Sequence, residues 1–374
     1  PLSLPPLLQL RARALTFHST SLFSSSSPAT SPSSRSRHST SRISAAALLL
    51  PCLSHSPHPL RPRTSSSYPK MVTGRHVKFA VTQFACSPNP AENVAIAERL
   101  VREAAANGAN VILLQELFET LYFCQDIQDY FTLAHPVENN PLLNHFSDLA
   151  KELAVVLPIS FFERSGQCYF NSLVVFDSDG QNLGLYRKAH IPQSPGYFEK
   201  FYFSEGDTGF KVFKTSAGAL GVAICWDQWF PETARILAMM GAEMICYPTA
   251  IGSEPQDPGI DSQGHWQRVM QGHAAANAVP VMASNRIGIE ESSGTVRLDS
   301  PAITFYGSSF ITDHLGNIIK QASRTDETII TVELDLDAIK QIRDHLNVFK
   351  GTKPEHYKSL VTYSGMCDPR ANKG

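Results

Sequence analysis

The sequence predicts an α/β protein, a four-layer αββα sandwich with mixed sheets, over residues 71–374. Three observations predict it. From Val77 onward, apolar strands alternate with amphipathic helices, the pattern of sheets covered by helices. Hairpin signals interrupt the alternation, so the sheets are mixed rather than all parallel. The two halves also resemble each other. In AANGANVILLQELF (105–118) and AMMGAEMICYPTA (238–250), a helix runs into Gly-Ala, then one polar residue, then an apolar strand whose end turns polar. Two such halves pair naturally as two sheets between two helix layers.

The elements follow in order. HVKFAVTQFA (76–85) is a buried strand. Pro90–Asn107 is a helix with Val94, Ala97, Leu100, Val101 and Ala104 on one face, closed by Asn107-Gly108. NVILLQELF is an apolar strand ending at Glu116. A helix over Leu142–Leu153 leads to the strand VVLPISFFE. Residues 172–192 form a hairpin turning at Ser178-Asp179-Gly180, with Lys188 near its far end. The second half opens with the strand ALGVAIC (219–225), the helix PETARILAMMGA and the strand EMICYPTA. Gln267–Asn277 is a further helix and VPVMASNRIG a strand. Residues 308–322 make a closing hairpin, and ETIITVELDL an edge strand.

Residues 1–70 lie outside this pattern. They are rich in Ser, Pro and Arg, carry eight Lys/Arg and no acidic residue, and lack apolar periodicity, so they read as a disordered extension. Such a composition fits a plastid or mitochondrial transit peptide, or translated upstream sequence with Met71 as the start. The compartment is cytoplasmic in the second case and an organelle in the first. Residues 71–374 carry 24 basic and 34 acidic side chains, which gives no footing for nucleic-acid phosphates. Seven cysteines without CxxC spacing argue against a disulfide framework or zinc ribbon and for a reducing compartment. No apolar run approaches the roughly 20 residues of a spanning helix; Ala45–Leu50 is the nearest.

Three polar residues sit at the ends of apolar strands: Glu116, Lys188 and Cys225. Strand C-terminal ends are where α/β folds present reactive groups. A thiol needs a base or a cation to attack at neutral pH, and glutamate and lysine supply both. The Lys188 ammonium and the Trp226 backbone N–H are candidate donors to an oxyanion, and the helix beginning at Pro231 would add its dipole if close. Each residue also has a plain reading: Cys225 as inert core, Glu116 as a helix cap, Lys188 as a solvated charge. Metal chemistry finds no support. His265 and His273 are eight residues apart and His190 stands alone. No local signature marks a papain-like Cys/His pair.

VILLQELF, YRKAHIP, GVAICWDQWFPE and GHAAANAVPVMASN together resemble the nitrilase, or carbon-nitrogen hydrolase, superfamily, in order from about Val77 to about Leu336. The resemblance implies an αββα sandwich, oligomers built from dimers, no cofactor, and a Cys-bound thioester intermediate. It also implies Cys225 as nucleophile, Glu116 as general base and Lys188 as oxyanion stabiliser. Glu199, in PGYFEKFYF, occupies the place of a second glutamate that orients Lys188.

The loop from Ala250 to Gln267 contains Glu254, Asp257 and Asp261 and no Lys or Arg, which repels a carboxylate and attracts an ammonium. YPTAIGSEP, DSQGHW, QGHAAANAVPV and LFETLYFCQ are similar to the members that hydrolyse carbamoyl amines. That implies a small cationic carbamoyl amine as substrate, with Glu254 on the ammonium and Tyr122 as an aromatic wall. Sibling hydrolases of carboxylate substrates, β-ureidopropionase-like or ω-amidase-like, would need Arg268 or Arg286. A scaffold without catalysis is the remaining alternative.

Overall fold

The computed structural model describes residues 74–292 and 302–366. The N-terminal extension, Met71, Cys52 and Cys367 lie outside the described residues. The first half contains β1 (His76–Gln83), α1 (Pro90–Ala106), β2 (Val111–Leu113), α2 (Pro141–Leu153), β3 (Leu157–Ser165), β4 (Cys168–Phe176) and β5 (Asn182–Arg187). A short helix α3 (Glu199–Tyr202) and strand β6 (Lys211–Thr215) follow. The second half contains β7 (Gly218–Val222), α4 (Pro231–Met239), β8 (Met244–Pro248), α5 (Gln263–Asn277), β9 (Val281–Ser284), β10 (Ile287–Glu291), β11 (Ala302–Tyr306), β12 (Phe310–Thr312) and β13 (Ile318–Gln321). The edge strand β14 (Thr328–Asp335) and α6 (Leu336–Leu346) complete the chain order.

One sheet runs β13-β12-β9-β8-β7-β6. The strands β14-β1-β2 and β3-β4-β5 are joined into a second by the parallel bridge Val111–Val156. The repeat read from the sequence extends to the whole topology. Each half has three parallel strands, β1, β2 and β3 or β7, β8 and β9, linked through helices. Each has one antiparallel strand on one flank, β14 or β6. Each has two on the other, β4 and β5 or β12 and β13.

Side-chain alternation decides the layers. On β1, Val77, Phe79 and Val81 enter the core shared with Val222, Met244 and Cys246 of the opposite sheet, while Ala80 joins Leu100, Val101, Leu142 and Phe146 of α1 and α2. On β2, Val111 and Leu113 face the first core and Ile112 the second. Leu237 of α4 and Met270 of α5 cover the other sheet. The result is the expected four layers. Helices α1 and α2 start alike: Asn89 and Asn140 cap the first turns and Pro90 and Pro141 occupy the first position.

Several boundaries differ from expectation. The strand ahead of Glu116 stops at Leu113, because the Gln115 amide replaces the next ladder pair. It accepts from Phe84 N–H at 3.2 Å and donates to Phe84 O at 3.0 Å. The strand ahead of Cys225 stops at Val222. Helix α5 begins four residues early, at Gln263. The sequence reading does not anticipate β6 or α6; the latter is capped by Asp335, which accepts from Asp337 and Ala338 N–H.

Candidate active site

Cys225 lies three residues beyond β7 and opens a 3-10 turn, Cys225–Trp229. Its φ is +41°, left-handed backbone that a non-glycine residue adopts at a cost of roughly 1–3 kcal/mol. The chain therefore bends sharply at the thiol, as at nucleophile elbows between strand and helix. Asp227 holds the bend. Its buried carboxylate accepts from Ile224 N–H at 3.0 Å, Tyr186 OH at 2.7 Å, and His190 N–H at 2.9 Å, with His190 Nδ1 at 2.8 Å. The cysteine turn is thus tied to the segment that follows Lys188. The first bond of the turn runs from Asp227 N–H to Ile224 O, so the Cys225 and Trp226 N–H groups precede it and have no carbonyl within the turn to serve. This turn also separates Cys225 from α4, so the dipole expected from the helix at Pro231 does not start at the thiol.

Glu116, Lys188 and Glu199 meet in a buried cluster with no exposure of the three side chains. Lys188 Nζ is 2.8 Å from Glu116 Oε1 and 2.9 and 2.7 Å from the two oxygens of Glu199. Asn171 Nδ2 donates to the same Glu116 Oε1 at 2.7 Å, and Tyr122 OH donates to Glu199 Oε1 at 2.7 Å. Glu116 Oε2 is buried without a hydrogen-bond partner among the described residues. One carboxylate oxygen is fully engaged, and the other keeps its lone pairs for a proton.

Burial pushes the Cys225 thiol well above its ordinary pKa; the Glu116 charge adds to this, and the Lys188 charge opposes it. The resting group is therefore a neutral thiol, and its proton must leave as attack occurs. Burial acts to lower Lys188, but the charges of Glu116 and Glu199 outweigh it and hold the ammonium well above the usual range. Glu199 is raised to about 6 by burial, with Lys188 pulling down and Glu116 pushing up. A single cation between two buried carboxylates explains that tension.

A cavity of about 210 Å³ is lined by Cys225, Trp226, Trp229, Tyr197, Glu199 and Glu254, among others. Trp226 is an exposed residue at this cavity. Glu254 is half-buried there, with Gln256 Nε2 at 3.2 Å. Asp257 is exposed, and Asp261 is paired with Arg324 at 2.8 Å, so of the three acidic loop residues only Glu254 reaches the cavity. Tyr122 departs from its expected position. It is fully buried behind Glu199 and does not line this cavity; Tyr197, Trp226 and Trp229 provide the aromatic surface.

Arg286 is buried and committed to Glu290, while Arg268 is exposed on α5. Neither is among the cavity's lining residues, nor is any other arginine or lysine of the described residues. His273 Nε2 contacts Gln228 O at 2.8 Å, and His265 packs edge-on against Trp229. Both serve the cysteine turn and its surroundings.

Sequence reasoning misses Asn171, Asp227 and Glu290, and it names His190 only as a lone histidine and Arg286 only as a cation for a carboxylate substrate. Asn171 is a buried residue of β4, one position before the hairpin read from the sequence, and nothing local marks its partner 55 residues away. Asp227 carried a usable signal: a carboxylate two residues after a candidate nucleophile, in a turn.

The sequence pattern of the family described as carbon-nitrogen hydrolase matches residues 78–344. An N-carbamoylputrescine amidase of Arabidopsis thaliana is 54% identical over 295 residues, covering 78% of this chain and 97% of that one. A citrullinase of Francisella tularensis subsp. tularensis is 48% identical over 287 residues, covering 76% and 98%. The crystal structure of a carbon-nitrogen hydrolase from Helicobacter pylori superposes with a TM-score of 0.72 at 38% identity, covering 77% of this chain and 99% of that one.

Proposed function

The chain belongs to the carbon-nitrogen hydrolase family, and on that premise we propose that it hydrolyses the ureido group of N-carbamoylputrescine to putrescine, carbon dioxide and ammonia. The observation that carries this reading is the cavity, where the Cys225 thiol and the Glu254 carboxylate share one small aromatic-walled space with no arginine among its described lining residues. At about 210 Å³ it is below the roughly 300–1,000 Å³ of pockets for drug-sized ligands, which suits a thin linear molecule. A substrate with an ammonium at one end and a neutral ureido group at the other complements it. Similarity to the Arabidopsis amidase supports the same reading.

In this proposal Glu116 takes the Cys225 proton through Oε2 as the sulfur attacks the ureido carbon. The Lys188 ammonium and the Trp226 N–H stabilise the oxyanion, in a site whose burial strengthens both interactions. Collapse breaks the bond to the terminal nitrogen, which leaves as ammonia carrying the proton returned by Glu116. Glu116 then deprotonates a water that attacks the thioester, and the thiol is regenerated. The released N-carboxyputrescine loses carbon dioxide to give putrescine. Glu199 holds Lys188 in place, and Tyr122 holds Glu199. No step needs a cofactor.

The test is ammonia release from N-carbamoylputrescine, citrulline and N-carbamoyl-β-alanine, measured side by side. The reading expects kcat/KM for the first to exceed the others by at least about 10²-fold. The citrullinase similarity favours citrulline as the second reading. Citrulline brings an α-carboxylate that would meet Glu254 with no cation beside it among the described residues, and preference for it would overturn the proposal. For assembly we adopt the dimer-built oligomers of the family. Exposed Ile236, Met239 and Met240 on and just after α4 offer apolar contact surface, and light scattering of the purified chain reads the state.

A further inference from the structure

Arg286 and Glu290 form an ion pair that the chemistry above does not use. Both are buried, with 0% and 2% of their side chains exposed and Nη1 2.8 Å from Glu290 Oε1. Burying two charges is expensive unless their remaining bonds are satisfied, so the other partners are informative. Arg286 Nη2 donates to Glu116 O at 2.7 Å and Leu117 O at 3.1 Å, and Nη1 donates to Thr120 O at 3.2 Å. The other oxygen of Glu290 accepts from Tyr122 N–H at 2.6 Å. The guanidinium also lies 5.9 and 5.3 Å from the ring centres of Tyr122 and Phe305. Among the described residues, every main-chain bond of these two side chains therefore goes to one segment, residues 116–122.

That segment carries Glu116 at one end and Tyr122 at the other. Its backbone is strained between them: Leu117, immediately after Glu116, has φ +48°. Such a conformation persists only where the surroundings over-determine it. Ser160 Oγ accepts from Leu117 N–H at 3.1 Å, and Arg286 takes the carbonyls on both sides of the strained residue.

We propose that Arg286 and Glu290 are positioning residues that set both carboxylates flanking Lys188. Arg286 fixes the backbone from which Glu116 reaches Lys188. Glu290 fixes the backbone of Tyr122, whose hydroxyl holds Glu199. Lysine cannot replace Arg286, because a single nitrogen cannot span three carbonyls and a carboxylate as a planar guanidinium does. The inference rests on the proposed role of Glu116 as base.

The test uses Arg286→Lys and Glu290→Gln in the full chain with two readouts. The first is the pH dependence of Cys225 alkylation by iodoacetamide, followed by peptide mass spectrometry, which reads the thiol and its base without any substrate. The charged or titratable groups about Glu116 are Lys188, Glu199, Arg286, Cys225, Tyr122 and Cys124. If the backbone at Glu116 moves, the Glu116 and Lys188 charges that act on the Cys225 thiol move with it, so the pH profile of alkylation should shift by about one pH unit in Arg286→Lys. The second readout is kcat and KM on the substrate the wild type turns over. A fall in kcat of about 10- to 100-fold with KM changed less than about threefold is expected for both variants. The proposal is overturned if alkylation keeps the wild-type pH profile, or if kcat per folded molecule, corrected by thermal melting, stays within twofold. An error in the identity of the substrate leaves the alkylation result intact.

Discussion

Asn171 Nδ2 and Lys188 Nζ converge on the same oxygen of Glu116, at 2.7 and 2.8 Å, and the second oxygen has no hydrogen-bond partner among the described residues. This division of one carboxylate into an anchored and an available atom underlies the proposed chemistry. Asn171 comes from β4 and Lys188 from the residue after β5, neighbouring strands of one sheet. The sheet therefore sets the angle at which Glu116 presents its base.

The first expected outcome concerns the nucleophile. Cys225→Ser replaces a thiol by an alcohol that ionises far less readily, while the left-handed turn and its Asp227 bonds remain. Ammonia release should fall by at least about 10³-fold, with the melting temperature within a few degrees of wild type. Activity above a tenth of wild type would remove Cys225 from the scheme.

A second outcome concerns Glu254. Changing it to Gln deletes the single loop charge that reaches the cavity. KM for N-carbamoylputrescine should rise about tenfold, near 1.4 kcal/mol, with kcat nearly unchanged. A neutral carbamoylated alkylamine of the same length should show no such rise. Steady-state kinetics on the two substrates reads the difference, and equal changes for both would assign Glu254 to packing.

The third outcome is a pH dependence. Burial raises Glu199 to about 6 against the pull of Lys188, while the Tyr122 hydroxyl also acts to lower it. Protonating Glu199 removes one of the charges that hold Lys188, so kcat/KM should fall as pH drops through about 6. In Tyr122→Phe the ionised carboxylate loses a hydrogen bond, its pKa rises, and the acid limb should move to higher pH. Because Glu116 and Glu199 share one lysine, the limb reports the pair. A limb that stays in place in the Phe variant would show that the hydroxyl does not tune Glu199.

Much of the fold is legible in the sequence, for a reason that differs between elements. The parallel strands β8 and β9 are buried throughout and read as short apolar runs, β1 is buried from Phe79 to Gln83, and α1 and α2 announce their starts with Asn-Pro. The ends of β2 and β7 are not legible. A Gln115 side chain takes over the ladder in one case, and Asp227 bends the chain in the other. Both are long-range or side-chain bonds that compete with regular structure and leave no periodic trace.

Glu116, Lys188 and Cys225 stand out in the sequence as reactive residue types at the ends of apolar strands, and Glu199 is named through the family resemblance. Glu254 can be named as well, as an acidic residue close to a strand end. Which of these touch is another matter. Contacts such as Asn171 with Glu116 or Arg286 with the backbone at 116–120 join residues 55 to 170 positions apart. Only the packing of two sheets with shared topology brings them together. The same packing turned Tyr122 inward onto Glu199, spent Arg286 on the main chain, and left Glu254 as the loop carboxylate in the cavity. Residue chemistry is local and is written along the chain, whereas desolvation and partner choice depend on what surrounds each group once the layers close.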